Sequence, residues 1–201
     1  MTATLLGDDG NHRCPWPGSD ALYLRYHDEE WGRRVSDDTG LFERIVLEGF
    51  QAGLSWLTIL RKREAFRSAF AGFDPRVVAR FEEEDTARLL NDAGIVRNRA
   101  KITAAVGNAR RALDLIEAEG SIARFLAVYA PAPGPAPRDL SQVPTASAES
   151  KALSSELRRL GWSFVGPTTM YALMQAAGMV NDHLEGCWVR SRCMSDLPWP
   201  A

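Results

Sequence analysis

The sequence predicts an all-α protein. Three observations carry that expectation: apolar residues recur at three- and four-residue spacing in one segment after another, polar caps, prolines and glycines bracket those segments, and no stretch shows a clear strand pattern. No internal repeat is present. At 201 residues the chain is long enough to bury roughly 70% of the surface that its unfolded form exposes. The expected organisation is a flexible lead-in over 1–12, a single helical domain of two lobes over 13–190 with a Pro-rich loop near 130–144, and a tail over 191–201.

Taken in order, residues 1–12 are polar, contain glycine and lack periodicity. Cys14-Pro15-Trp16-Pro17-Gly18 reads as a turn. Tyr23, Tyr26, His27 and Trp31 then recur at helical or turn-like spacing, as core packing or ligand contact both require. Asp37 and Asp38 are placed to cap a helix whose apolar stripe is Leu41, Phe42, Ile45 and Val46. That helix runs into Leu47-Glu48-Gly49-Phe50-Gln51-Ala52-Gly53-Leu54-Ser55-Trp56, which sets one carboxylate beside two glycines and an indole. A buried Glu48 would need backbone donors or a ligand to offset its desolvation; the alternative is a solvated helix end.

Leu54, Trp56, Leu57 and Leu60 predict a second helix, with Arg61, Lys62, Arg63, Glu64 and Arg67 on a solvated face. Asp74-Pro75 marks a helix start, Asp as cap and Pro at the first helical position, and Val77, Val78 and Phe81 supply its stripe. Asp85 is expected to cap a short helix through Leu90, which Gly94 breaks. Residues 95–106 then read as a tight turn and a new helix. Arg97, Arg99, Lys101, Arg110 and Arg111 meet no acid between Ala93 and Leu113. Helix-start N–H groups beside such cations can hold a phosphate, although a polar face in water has the same composition.

Ile122, Phe125, Leu126 and Tyr129 close this half. The Pro-rich run 130–137 lacks the donors a helix or central strand needs and is an extended surface excursion. Residues 145–150 cap a helix with Leu153, Leu157 and Leu160, Gly161 ends it, and Gly166-Pro167 opens an apolar helix through Met174 to Gly178. Val180 to Cys187 completes the ordered chain.

Composition excludes several classes. Hydrophobic residues at 45%, charged residues at 25% and a net charge of -2 describe an ordinary globular chain with no global basic surface, so a nucleic-acid partner would have to meet local positive charge. No run approaches the roughly 18 apolar residues of a membrane span, and the first ten residues lack a secretory pattern; a cytoplasmic protein is expected. Phosphate-loop, His-Glu-x-x-His and zinc-deaminase strings are absent.

Cys14 and His27 have twelve residues between them, and His183 and Cys187 have three. Two thiolates and two imidazoles form a closed tetrahedral set for zinc with no position for water, which makes the site structural. Such a cross-link between the ends of the fold removes chain entropy from the unfolded state. A Cys14 to Cys187 disulfide, or unrelated loop residues, is the alternative. Cys193 is outside the set, and His12 is the competing imidazole.

Several strings point to a known family: Cys14-Pro-Trp16, Tyr26-His-Asp-Glu-Glu-Trp-Gly32, Leu47 through Trp56, Asp92-Ala-Gly-Ile95, Gly107-Asn-Ala-Arg110, Phe164-Val-Gly166, Met174-Gln-Ala176 and Val180-Asn-Asp-His183. On these, the chain resembles the 3-methyladenine DNA glycosylase I family of bacteria, within the helix-hairpin-helix superfamily, from Cys14 to Cys187. The resemblance implies a monomeric helix-hairpin-helix enzyme that flips 3-methyladenine out of double-stranded alkylated DNA. It would hydrolyse the N-glycosidic bond without cutting the strand and release free 3-methyladenine. It further implies Glu48 as the base-recognising and catalytic carboxylate, Trp16, Tyr26 and Trp56 around the base, and Leu54 filling the gap in the duplex. The hairpin with Arg97, Arg99 and Lys101 corresponds to the DNA anchor, though it departs from the usual Gly-x-Gly, and Cys14, His27, His183 and Cys187 to a structural zinc site. No Asp near the sugar is implied, and residues 131–137 lie outside the resemblance. The rival expectation is a non-catalytic, zinc-stabilised DNA-binding protein of the same fold.

Overall fold

A computed structural model describes residues 3–194. Most of them lie in helices: α1 (Ala21–Glu29), α2 (Asp38–Gln51), α3 (Trp56–Ala69), α4 (Pro75–Val78), α5 (Glu83–Asn91), α6 (Arg99–Glu119), α7 (Ile122–Ala127), α8 (Ala148–Arg159), α9 (Pro167–Ala176) and α10 (Arg190–Met194). The expected all-helical architecture is therefore found with one correction. Leu5–Leu6 (β1) and His12–Arg13 (β2) pair antiparallel, so part of the lead-in is an ordered hairpin. Strands of two residues are too short to leave a periodic pattern. Residues 195–201 of the expected tail, and the first two of the lead-in, lie outside the described residues.

Local chemistry sets the helix starts. The side chains of Asp20, Asp37, Ser55, Asp74 and Asn98 accept backbone N–H groups at the starts of α1, α2, α3, α4 and α6. Two expected caps act differently. Asp38 lies inside α2 and accepts the backbone N–H of Ile122 at 2.8 Å, tying α2 to the start of α7. Glu82 is the N-cap of α5, and Asp85 serves at the third position by accepting the Glu82 N–H.

Nine residues of α2, from Leu41 through Phe50, are buried. The helix packs against α3, α6, α7 and α9 and its Phe50 meets the ring of Phe66 at 4.7 Å. The charged run on α3 is not simply solvated, because its cations reach back to earlier helices. Arg61 pairs with Asp20 at 2.7 Å, Arg63 with Glu30 at 2.8 Å and Arg67 with Glu43 at 2.8 Å. A second, smaller apolar cluster joins Cys14 to Leu184, Cys187, Val189 and Cys193. That cluster brings the two ends of the chain together, beside the C-terminal half of α1. No helix among the described residues is long and apolar enough to cross a membrane.

Candidate functional site

Beside this junction a cavity of about 210 Å³ opens. The turn at 15–18 supplies Trp16, α1 supplies Tyr23 and Tyr26, and α2 supplies Glu48 and, one turn on, Gln51. Ser55 starts α3 so that Trp56 is its first residue and faces the same space. Trp31, Leu140, Val143, Ala172, Gln175 and Asp182 complete the wall. Its rings are in mutual contact, with centroids 5.4 Å apart for Tyr26 and Trp56, 4.9 Å for Trp16 and Tyr23, and 5.1 Å for Trp16 and Trp31. The four residues expected around a ligand, Trp16, Tyr26, Glu48 and Trp56, are thus brought together.

Glu48 is only 5% exposed. Burial pushes its carboxyl up to about 8, against the partial opposition of the Arg44 guanidinium one turn earlier on α2. No hydrogen bond or ion pair within the described residues reaches this carboxylate, so its capacity to accept is turned toward the cavity. Tyr26 is raised well above the ordinary tyrosine range by burial and then by Glu48, which keeps its hydroxyl neutral. Asp182 is held by the Tyr171 hydroxyl and the Gln175 amide, which both donate to its Oδ2, at 2.7 and 2.8 Å. Sequence reading left Tyr23 and Trp31 open between core packing and ligand contact and missed the other lining residues, Gln51, Gln175 and Asp182 among them. Two had a usable signal: Tyr23 lies one turn before Tyr26, and Gln51 one turn after Glu48.

Cys14, His27, His183 and Cys187 form a second group, all buried, with one ligand atom of each within 4.8 Å of the others. Sγ of Cys187 lies 3.6 Å from Nε2 of His27 and 3.6 Å from Nδ1 of His183, and Sγ of Cys14 lies 3.8 Å from Nδ1 of His183. Those are edge lengths of a tetrahedron around a cation with bonds of about 2.0–2.3 Å, as zinc makes to imidazole and thiolate. Outer partners orient both imidazoles: Nδ1 of His27 meets Asp28 at 2.7 Å, and Nε2 of His183 meets the Trp31 carbonyl at 3.1 Å. The facing thiol of Cys14 and the two imidazoles depress the Cys187 thiol, which favours a thiolate there. All three cysteines are free, so the disulfide alternative is not what the fold contains. Cys193 is buried next to this group, its Sγ 3.8 Å from the Trp31 carbonyl. Trp16 lies 5.1 Å from the His27 ring and so touches both the Cys/His group and the cavity.

The third set of expected residues is divided. Leu54 is 42% exposed, on the loop that joins Glu48's helix to Trp56's helix rather than inside α3. Arg97 is exposed in the turn between α5 and α6. Arg99 is exposed but pairs with Glu83 at 2.6 Å. Lys101 requires a correction: it is 9% exposed and turned inward, donating from Nζ to the carbonyls of Phe50 at 2.9 Å and Ala52 at 2.6 Å. An ammonium satisfies the orphan carbonyls at the end of α2, and burial lowers its affinity for the proton. Arg110 and Arg111 are likewise engaged, with the Ala79 carbonyl and with Asp114. The basic run is therefore less open than its sequence implies.

With this geometry in place, comparison with known proteins is specific. The profile of the methyladenine glycosylase family matches residues 16–191. DNA-3-methyladenine glycosylase 1 of Escherichia coli is 47% identical over 177 residues, covering 87% of this chain and 95% of that protein. DNA-3-methyladenine glycosylase of Haemophilus influenzae is 44% identical over 178 residues, covering 87% and 96%. Among solved structures, a crystal structure of 3-methyladenine DNA glycosylase I superposes with a TM-score of 0.85 at 46% identity, covering 88% of this chain and 98% of that one. A structure concerned with 3-methyladenine recognition by the Staphylococcus aureus enzyme gives a TM-score of 0.85 at 36% identity, covering 89% and 96%.

Proposed function

Since the chain belongs to the methyladenine glycosylase family, we infer that it is a DNA-3-methyladenine glycosylase, a hydrolase that excises 3-methyladenine from alkylated DNA. The observation that supports this reading most directly is a buried carboxylate without a protein partner, Glu48, in a cavity walled by aromatic rings.

A base stacked in a duplex cannot reach such a cavity, so the nucleotide must be extruded first. Methylation at N3 makes adenine cationic and weakens its bond to the sugar. Tyr26 and Trp56 offer π faces that attract a cation as well as stack on it, and Glu48 accepts hydrogen bonds from the base and balances its charge. Unmethylated adenine is neutral and gains less from both. Glu48 holds a proton in the empty cavity at neutral pH, since burial raises it to about 8. A cationic base draws it to the carboxylate form and releases that proton, so affinity for the cation rises with pH toward about 8. No lysine or aspartate stands out as a nucleophile; the reaction we assign is hydrolysis by water, leaving an abasic site in an uncut strand.

We assign zinc to Cys14, His27, His183 and Cys187. The edge lengths and the two soft, two borderline donors fit that ion, and a closed donor set leaves it a structural part. The pair α5 and α6 with its turn at 92–98 is the proposed helix-hairpin-helix anchor on the DNA backbone, with Arg97 and Arg99 at its exposed edge. Leu54 is proposed to fill the gap left by the extruded nucleotide. The protein is taken to act as a monomer, and a DNA substrate is the reason to expect it in the cytoplasm. A purely DNA-binding protein would have no use for Glu48 in an aromatic cavity. Release of free base from methylated duplex, and its loss in Glu48→Gln, tests the assignment.

A further inference from the structure

Phe164 adopts a backbone conformation that its side chain disfavours. Among the described residues, three other than glycine have a positive φ: Ala71 at 52°, Phe73 at 60° and Phe164 at 58°. A bulky residue is strained there because Cβ crowds the adjoining carbonyl. Phe73 has an evident compensation: it is fully buried, and its ring stacks on Phe70 at 5.6 Å and 3°. Ala71 is small. Phe164 alone combines bulk with exposure, at 39%, so burial of the ring offsets the strain only in part.

Its surroundings enforce the conformation. Trp162 and Val165 are buried on either side, and Asn108 clamps Ser163 through two hydrogen bonds of 2.9 Å, one to its carbonyl and one from its N–H. Gly166 then begins α9. The Phe164 backbone also rests on the last part of α2, since a Cβ on Gly49 would fall 3.2 Å from the Phe164 Cβ and 3.5 Å from its carbonyl oxygen. Gly49 is the residue after Glu48. The same end of α2, fixed by Lys101, leads through Gly53 at φ +81° to the exposed Leu54. Two exposed apolar residues are therefore joined to the one turn that carries the base-recognising carboxylate.

We propose that Phe164 is a second DNA-contacting wedge, its ring packing on a base next to the extruded nucleotide while Leu54 occupies the gap. This rests on the glycosylase reading above. A base offers a π face whatever its sequence, and an apolar side chain set against a step in the duplex holds it unstacked and bent. Strain maintained at an exposed position is what a contact selected for function leaves behind.

The test compares wild type with Phe164→Asn, since Asn tolerates this φ, and with Phe164→Trp. Three quantities are read: thermal midpoint, affinity for free 3-methyladenine by tryptophan fluorescence, and affinity for and excision from a duplex. We expect Phe164→Asn to melt no lower than wild type and up to ~2–4 °C higher. It should bind the free base unchanged, yet bind and process the duplex ~10- to 100-fold less well. Phe164→Trp, which keeps a π face at this position, should retain duplex affinity near that of wild type, and a loss equal to that of Phe164→Asn overturns the proposal. Unchanged duplex affinity and excision in Phe164→Asn overturns the proposal, and so does a fall in its thermal midpoint large enough to account for the loss. If wild type itself neither binds the free base nor releases it from DNA, the glycosylase reading has failed instead.

Discussion

A carboxyl group that is 5% exposed and lacks a hydrogen-bonding partner weighs on the fold whenever it is charged. Glu48 titrates near 8 in the folded protein, against an ordinary 4.5. Between those values the folded chain holds a proton that the unfolded chain has released, so Glu48 subtracts stability progressively as pH rises through that window. The total is on the order of 5 kcal/mol. Glu48→Gln removes the titration, and we expect its thermal midpoint to exceed that of wild type by a margin that grows from pH 5 to pH 8; a margin independent of pH contradicts this account of Glu48. Lys101 and Arg97 separate in the same way. Lys101→Met should lower stability by about 1–3 kcal/mol and leave the salt dependence of DNA binding unchanged. Arg97→Ala should leave stability alone and reduce the slope of log K against log salt by about 1. Glu48 was conspicuous in sequence as a carboxylate between an apolar stripe and two glycines, while the place of Trp16, Tyr26 and Trp56 around it came from the family resemblance. The direction of Lys101 was not legible, since a run of charges says nothing of which member turns inward.

At the scale of elements, the paired ends of the chain decide whether the cavity exists. Cys14 and His27 flank Trp16 and Tyr26, and the imidazole of His183 faces that of His27 at 4.7 Å. Arg13 supports the arrangement from outside by donating to Asp28, whose carboxylate orients His27. Metal analysis should find one zinc per chain, and removing it with a chelator, or substituting Cys187→Ala, should lower the thermal midpoint and loosen the wall formed by Trp16. A protein free of zinc that melts as the untreated protein does would refute the structural role. Caps at Asp37 and Asp74 were readable because their short side chains satisfy nearby N–H groups. The bond from Ile122 to Asp38 was not, since it joins residues 84 positions apart. The hairpin of β1 and β2 escaped notice because two-residue strands leave no alternation to detect.

For the whole molecule, α2 is the member that connects core and chemistry. One of its faces packs among α3, α6, α7 and α9, and its last turns present Glu48 to the cavity while supporting Leu54 and Phe164. On the roles proposed for these residues, a shift at the end of α2 disturbs base recognition and DNA contact together. The net charge of -2 leaves no global basic surface, and Arg97 in the turn between α5 and α6 is the local contact proposed for DNA. Periodicity and caps were enough for the helical class. The convergence of Trp16, Glu48 and Asp182 was not available from them, because their meeting depends on tertiary packing between distant segments; family resemblance supplied part of it. The most direct measurement is incubation of methylated duplex DNA with wild type and Glu48→Gln, followed by chromatographic identification of the released base. The account predicts 3-methyladenine from wild type with strands left intact, and release slower by ~100-fold or more from a folded Glu48→Gln. Equal release by the two proteins, or none by wild type, would contradict it.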